Sequence, residues 1–142
     1  MLQTVGAVPG PLIIITDDDA DSRDGYCEYL RYSGFDAVPA AAAAEGIQKA
    51  FALAPAVIVM DLHMPGMSGL AAIQQLRADP RTVRLPIIAC SGTSQHEGSR
   101  QARAAGADVY LEKPCLPQQL VAAIRELIAT RAPAAPAPSA GA

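Results

Sequence analysis

Acidic, hydroxyl and amino side chains follow short apolar runs at four places along the sequence. These groups are Asp17-Asp18-Asp19 after Leu12–Thr16, Asp61 after Ala56–Met60, Ser91 after Pro86–Cys90, and Lys113 after the run that ends at Glu112. If the runs are parallel strands, their carboxyl ends lie at one edge of the sheet, where ligands of open α/β sheets bind. The sequence therefore predicts one site that combines carboxylates, a hydroxyl and an ammonium group.

A cluster of carboxylates at one sheet edge requires positive charge. Two carboxylates about 4 Å apart repel by about 4 kcal/mol at an effective dielectric of 20. An oxygen-rich site of this kind suits Mg²⁺, and Lys113 supplies a second positive charge. That combination suits the oxygens of a transferring phosphoryl group, for which catalysis is mainly positioning and charge neutralisation. Asp61 is ionised at neutral pH and needs no general base to attack phosphorus.

Each group taken alone has a simpler explanation. Asp17-Asp18-Asp19 could cap the helix that follows, where acidic residues are favourable. Asp61 could be an ordinary loop residue, and Lys113-Pro114 could be a strand end, since proline cannot continue a ladder. Four such endings in one chain and on one predicted edge favour a shared functional site.

The elements that must position these groups alternate along the chain. Short runs typical of buried strands are Leu12–Thr16, Ala37–Pro39, Ala56–Met60, Pro86–Cys90 and Val109–Leu111. The segments between them have helical spacing or composition, including Ala40–Leu53, a lightly packed Ser94–Ala105 helix, and a helix that ends before Gly34. The alternation predicts an α/β fold, and at about 120 residues we expect a flavodoxin-like (βα)5 doubly wound parallel sheet with strand order 2-1-3-4-5. The alternation alone would also fit half of a dinucleotide-binding domain.

Composition limits the class of protein. The chain has 142 residues, of which 51% are hydrophobic and 18% charged, enough for one packed domain. We expect a folded domain over residues 12–131, a flexible segment over 1–11 and a disordered Ala/Pro-rich tail over 132–142. A net charge of -3, few aromatic residues and short apolar runs give no indication of nucleic-acid or membrane binding.

Three widely spaced cysteines form no CxxC pair, which argues against a disulfide framework or a zinc site. Cys27, Cys90 and Cys115 are expected in the core, as small apolar side chains. This cysteine usage and the lack of a secretory signal predict a cytoplasmic protein.

Four segments resemble the receiver domains of two-component response regulators. They are the acidic stretch Asp17-Asp18-Asp19, residues 57–69 (VIVMDLHMPGMSG), residues 85–92 (LPIIACSG) and residues 106–114 (GADVYLEKP). The resemblance covers nearly the whole predicted domain. It implies that Asp61 accepts a phosphoryl group and that Mg²⁺ is the cofactor.

The resemblance also implies roles for the surrounding residues. Asp17, Asp18 and Asp61 would hold Mg²⁺ together with the backbone carbonyl of His63. Ser91 and Lys113 would contact phosphoryl oxygens, and the peptide bond before Pro114 would be cis. Ser91 and Tyr110 would form a switch: phosphorylation draws Ser91 inward, Tyr110 moves into the vacated space, and the surface of the fourth helix, fifth strand and fifth helix changes.

The implied partners are a histidine kinase or histidine phosphotransfer protein as donor, and an output protein that contacts this surface. A homodimer through the same surface is a further expectation. The domain would be a switch with slow self-dephosphorylation, not a turnover enzyme. An alternative is a Mg²⁺-dependent phosphohydrolase with Asp61 as nucleophile, although His63 stands where such an enzyme needs a second acid. A nucleotide or flavin carrier is less favoured, since no glycine-rich loop follows the first strand.

Overall fold

The computed structural model describes residues 10–131, in which five strands alternate with five helices. The elements are β1 (Leu12–Thr16), α1 (Ala20–Tyr32), β2 (Asp36–Ala40), α2 (Ala43–Leu53), β3 (Val57–Asp61), α3 (Gly69–Ala78), β4 (Ile87–Ser91), α4 (Gln95–Ala105), β5 (Val109–Glu112) and α5 (Pro117–Thr130). The expected terminal segments fall mostly at 1–9 and 132–142, outside the described residues. Within the predicted first segment, the Pro11 carbonyl accepts a hydrogen bond from the Asp36 N–H.

The sheet confirms the predicted topology, with strand order β2-β1-β3-β4-β5 and all neighbouring strands parallel. Every residue of β3 and β4 is buried, as expected for central strands covered on both faces. Both strands begin and end one residue later than predicted. Asp61 and Ser91 are consequently the last residues of their strands, which fixes their backbone directions within the sheet.

The strands alternate their side chains between two cores because successive residues of a strand point to opposite faces. Ile14 and Ile58 join the core beneath α2, α3 and α4, whereas Ile13 and Val59 join the core beneath α1 and α5. Helix α4 buries only small residues, namely Gly98, Ala102 and Ala105, in agreement with the predicted light packing. This helix therefore contributes little apolar burial to hold its position.

Glycine ends two of the helices that frame the site. Gly34 follows α1 with φ of +99°, and Gly106 follows α4 with φ of +119°, a left-handed region that favours glycine. The end of α1 before Gly34 was predicted from this residue. These turns return the chain to the start of β2 and β5.

A single arginine organises the edge of the sheet opposite the predicted site. The Arg77 guanidinium donates to the carbonyls of Gly106 and Leu85 and to the Asp108 carboxylate, at 2.8, 2.6 and 3.0 Å. Asp108 also accepts from the Ile87 N–H, so the starts of β4 and β5 are joined through one side chain.

The three cysteines are buried and free, as predicted. Over residues 10–131, we find no helix with the length and apolar character needed to cross a lipid bilayer.

Candidate functional site

Three carboxylates meet where β1 and β3 end, as the sequence predicted. Because these strands are neighbours, Asp17 directly after β1 and Asp61 at the end of β3 lie side by side. Side-chain oxygens of Asp17, Asp18 and Asp61 all lie within 4.8 Å of one another. Asp17 and Asp61 are 3% and 7% exposed, whereas Asp18 faces solvent. The cluster thus has a buried base and an open side.

The three consecutive aspartates have different roles, helix capping for one and membership of the acidic cluster for the other two. Asp19 caps α1, because its carboxylate accepts the Ser22 N–H at 2.9 Å, and this hydrogen bond lowers the pKa of Asp19. Asp17 accepts the Asp19 N–H at 2.9 Å and keeps its other oxygen for the cluster. Helix capping and the acidic cluster therefore both occur, on different residues.

Lys113 is the cation of the cluster. Its Nζ lies 2.8 Å from Asp17 Oδ2 and 3.2 Å from Asp61 Oδ2. Its backbone N–H donates to the Ser91 carbonyl at 2.7 Å, and the Lys113-Pro114 peptide bond is cis, as the resemblance implied. Burial alone would lower the pKa of Lys113, but the two carboxylates outweigh burial and raise it. Lys113 therefore stays charged.

The Asp61 carboxylate is both buried and hydrogen-bonded. Burial raises the pKa of Asp61, while the His63 N–H, 3.0 Å from Oδ1, and the Lys113 ammonium act in the opposite direction. The Lys113 ammonium pairs with Asp17 and Asp61, whereas the third carboxylate, Asp18, has no ion pair among residues 10–131. The cluster therefore carries more negative than positive charge. The oxygen donors and this charge both fit a divalent cation such as Mg²⁺.

A chain of hydroxyl groups borders the cluster on the β4 side. Ser91 is 1% exposed, and its Oγ accepts from the Thr93 N–H at 3.2 Å and contacts Thr93 Oγ1 at 3.3 Å. His63 is exposed, and its Nε2 lies 2.9 Å from Thr93 Oγ1. The contact between His63 and Thr93 was not predicted from the sequence. Its only signal was that His63 and Thr93 each stand two residues after a predicted site residue.

Tyr110 is buried behind Ser91. It is 3% exposed, and its hydroxyl donates to the carbonyls of Ser91 and Thr93. The predicted switch residue therefore lies against the backbone of the loop that carries Ser91. Burial also raises the pKa of Tyr110.

Comparison with known proteins agrees with this geometry. The model of the response regulator receiver domain family matches residues 13–125. The chain belongs to this family. As a receiver, it is a phosphorylation-dependent switch of two-component signalling and not a classical enzyme. These findings favour the receiver over the phosphohydrolase hypothesis.

Several known proteins are similar to this receiver. The transcriptional regulatory protein PrrA of Mycobacterium tuberculosis is 34% identical over 124 residues, which cover 87% of this chain and 52% of PrrA. The chain spans about half the length of the curated relatives it matches.

Two solved structures show the same fold. A putative response regulator from Chloroflexus aurantiacus is 29% identical, with a TM-score of 0.78 over 84% of this chain and 98% of that one. The receiver domain of the sensor histidine kinase PA1611 from Pseudomonas aeruginosa PAO1 is 24% identical, with a TM-score of 0.78 over 84% of this chain and 98% of that one. The PA1611 structure has a magnesium ion coordinated in its active-site cleft.

Proposed function

We propose that Asp61 is the phosphoacceptor of this receiver. The observation that carries the proposal is the environment of its carboxylate, which lies between the Lys113 ammonium and the His63 N–H and beside two further acids. Lys113 pairs with Asp61 and can also neutralise an incoming phosphoryl oxygen. The open side of the cluster, at Asp18, gives a donor access.

The proposed reaction is a direct transfer. A carboxylate oxygen of Asp61 attacks phosphorus and forms an O–P bond, while the bond from phosphorus to the donor breaks and its electron pair leaves with the donor. The donor is a phosphohistidine or a small acyl phosphate such as acetyl phosphate. Asp61 is the attacking carboxylate, so no proton has to be removed from it. In hydrolysis, a water molecule then attacks phosphorus and forms a new O–P bond, while the bond from phosphorus to the Asp61 oxygen breaks and its electron pair returns to the carboxylate. Inorganic phosphate leaves.

We assign the Mg²⁺ ligands to the side chains of Asp17, Asp18 and Asp61 and to the backbone carbonyl of His63. Bound Mg²⁺ would offset the negative charge of the carboxylates and of the phosphoryl oxygens. The proximity of the three carboxylates and the magnesium-bound PA1611 receiver support this assignment. Asp17 and Asp61 are already fixed by Lys113, so little side-chain ordering would be required for binding.

Ser91 and Tyr110 are the proposed route from the site to the output surface. The buried Ser91 hydroxyl would hydrogen-bond a phosphoryl oxygen. The Tyr110 hydroxyl donates to the carbonyls of Ser91 and Thr93, in the segment that joins β4 to α4. The proposed output surface consists of α4, β5 and α5. It includes an apolar groove lined by Val109, Leu111, Ala123 and Leu127, among others.

We propose a histidine kinase or histidine phosphotransfer protein as donor, and an output partner or a second copy of the chain at this groove. The free cysteines support action in the cytoplasm. Curated relatives such as PrrA are transcriptional regulatory proteins, which makes control of transcription the proposed role of the whole protein.

Intact-mass measurement with acetyl phosphate and Mg²⁺ tests the proposal. We expect one phosphoryl adduct on the wild-type chain and none after chelation of Mg²⁺ or in Asp61→Ala. Asp19→Asn is the matched control, because Asp19 caps α1 and should not be needed for uptake. An adduct that persists in Asp61→Ala would place the acceptor on another residue and contradict the proposal.

A further inference from the structure

Tyr110 joins the loop after β4 to helix α4. At one end, its hydroxyl bonds to the Ser91 and Thr93 carbonyls. Along its length, the ring lies directly beneath Gly98, the fourth residue of α4. The position of the ring therefore depends on α4 as well as on the site.

Gly98 is the residue that makes room for this ring. A Cβ built at position 98 would lie well inside 3.0 Å of the outer ring atoms and the hydroxyl oxygen of Tyr110, closer than real Cβ atoms approach. The obstructed atoms form the far end of a side chain that can rotate away. Even alanine at position 98 would therefore exclude the ring, and the helix backbone need not move.

Two further hydrogen bonds fix α4 over the ring. The backbone N–H of Gln95, the first residue of α4, donates to the Glu112 carboxylate at 2.8 Å. The Gln95 side-chain amide donates to the Tyr110 carbonyl at 3.2 Å. Near the other end of α4, the Arg103 guanidinium donates to the carbonyl of Asp108, the residue before β5. A shift of the helix would therefore break several hydrogen bonds to β5 and to the residue before it. Moving the tyrosine breaks only its own contacts.

We propose that Gly98 is a positioning residue for the switch: its missing side chain admits Tyr110 beneath α4, and this position couples phosphorylation of Asp61 to the α4–β5–α5 surface. The inference rests on the proposed phosphoacceptor function. It predicts that a side chain at position 98 separates the two events. Phosphoryl uptake would continue, while the change at the surface would be lost.

Fluorine NMR of protein labelled with 3-fluorotyrosine tests the position of the ring in Gly98→Ala. The chain has four tyrosines, and the Tyr110 signal is identified by its loss in Tyr110→Phe. Tyr32, which is 86% exposed, is the internal reference for a solvated ring. In Gly98→Ala, we expect the Tyr110 signal to move to the Tyr32 region and to gain the solvent isotope shift of an exposed ring.

Coupling is measured on the same samples with acetyl phosphate and Mg²⁺. Adduct mass reports phosphoryl uptake, and amide shifts of Val109 and Leu111 report the surface. We expect the adduct to form in both proteins, and the amide shift changes of the wild type to be lost in Gly98→Ala. Gly25→Ala in α1 is the matched control, because a Cβ there meets nothing within 4 Å. This control should behave as the wild type in every measurement.

The double variant Gly98→Ala/Tyr110→Ala separates exclusion of the ring from damage to α4. With the ring removed, Gly98→Ala should have no further effect on the Val109 and Leu111 amide shifts. A Tyr110 ring that stays buried in Gly98→Ala, or surface changes that persist with the ring exposed, would overturn the inference. Loss of the adduct in the wild type would instead contradict the proposed function, so the two failures are distinguishable.

Discussion

Replacing Asp61 by Asn should stabilise the folded domain at neutral pH in the absence of divalent cations. Asp61 is 7% exposed and shares a small volume with two other carboxylates. Its charge serves the proposed chemistry but disfavours folding. The expected gain in the free energy of unfolding is on the order of 1 kcal/mol.

The magnitude follows from distances in the cluster. At an effective dielectric of 20, Asp17 at no more than 4.8 Å repels Asp61 by at least about 3.5 kcal/mol, and Lys113 at 3.2 Å attracts it by about 5 kcal/mol. Exposed Asp18 adds a repulsion that water partly screens. These contributions nearly cancel, so burial of the carboxylate decides the sign. The raised pKa of Asp61, of which burial is the largest cause, agrees with this result.

Urea unfolding at pH 7 and low salt in the presence of EDTA measures the effect, which corresponds to a rise in Tm of about 3–5 °C. Asp24→Asn, an exposed position in α1, is the matched control and should leave stability nearly unchanged. Saturating Mg²⁺ should reverse the order of wild type and Asp61→Asn. A ligand at 100 times its Kd adds about 2.7 kcal/mol to the protein that binds it.

The pH dependence has a defined sign. Because the folded-state pKa of Asp61 lies above its ordinary value of 3.8, the native state retains this proton to higher pH than the unfolded chain. The stability contributed by Asp61 is greatest below the ordinary pKa and falls as pH rises through the folded pKa. The advantage of Asp61→Asn should therefore shrink on acidification. A variant less stable than the wild type at pH 7 without Mg²⁺ would show that the Lys113 ion pair outweighs burial, and would refute this reasoning.

Three further substitutions test other parts of the structure. Arg77→Lys should lower the free energy of unfolding, measured with urea, by about 2–3 kcal/mol. An ammonium cannot reproduce the planar set of donors to Asp108 and the neighbouring carbonyls. An unchanged value would show that this hydrogen-bond network contributes nothing to stability. Thr16→Val should raise the free energy of unfolding by about 1 kcal/mol, because the buried Thr16 hydroxyl has no hydrogen-bond partner among the described residues. A lower free energy of unfolding would indicate a packing role for the hydroxyl. Tyr26 donates to the Cys115 carbonyl at 2.8 Å, and burial raises the pKa of Tyr26 to about 12, so Tyr26→Phe should remove the absorbance step near that pH; a step that persists would belong to another tyrosine.

Much of the fold could be predicted from local signals in the sequence. The apolar runs gave all five strands to within one or two residues, and Gly34 marked the end of α1. The strand order was predicted from the alternation of strands and helices at this chain length. Within that order, the meeting of Asp17, Asp61 and Lys113 followed from the rule that parallel strands share a carboxyl edge. Less local features were harder to predict: β2 is two residues longer than expected, and α2 begins at Ala43 instead of Ala40.

The sequence by itself determined which groups reach the site, because strand periodicity and the last residue of each strand are properties of a few consecutive residues. Only the tertiary structure decided how those groups are used. It assigned Asp19 to a helix cap, turned the Ser91 hydroxyl to Thr93, and brought Gly98 over Tyr110. In each case, the outcome depends on a distance between two atoms. That distance is set by local backbone conformation or by the packing of separate helices and strands. Residue spacing along the chain does not specify such distances.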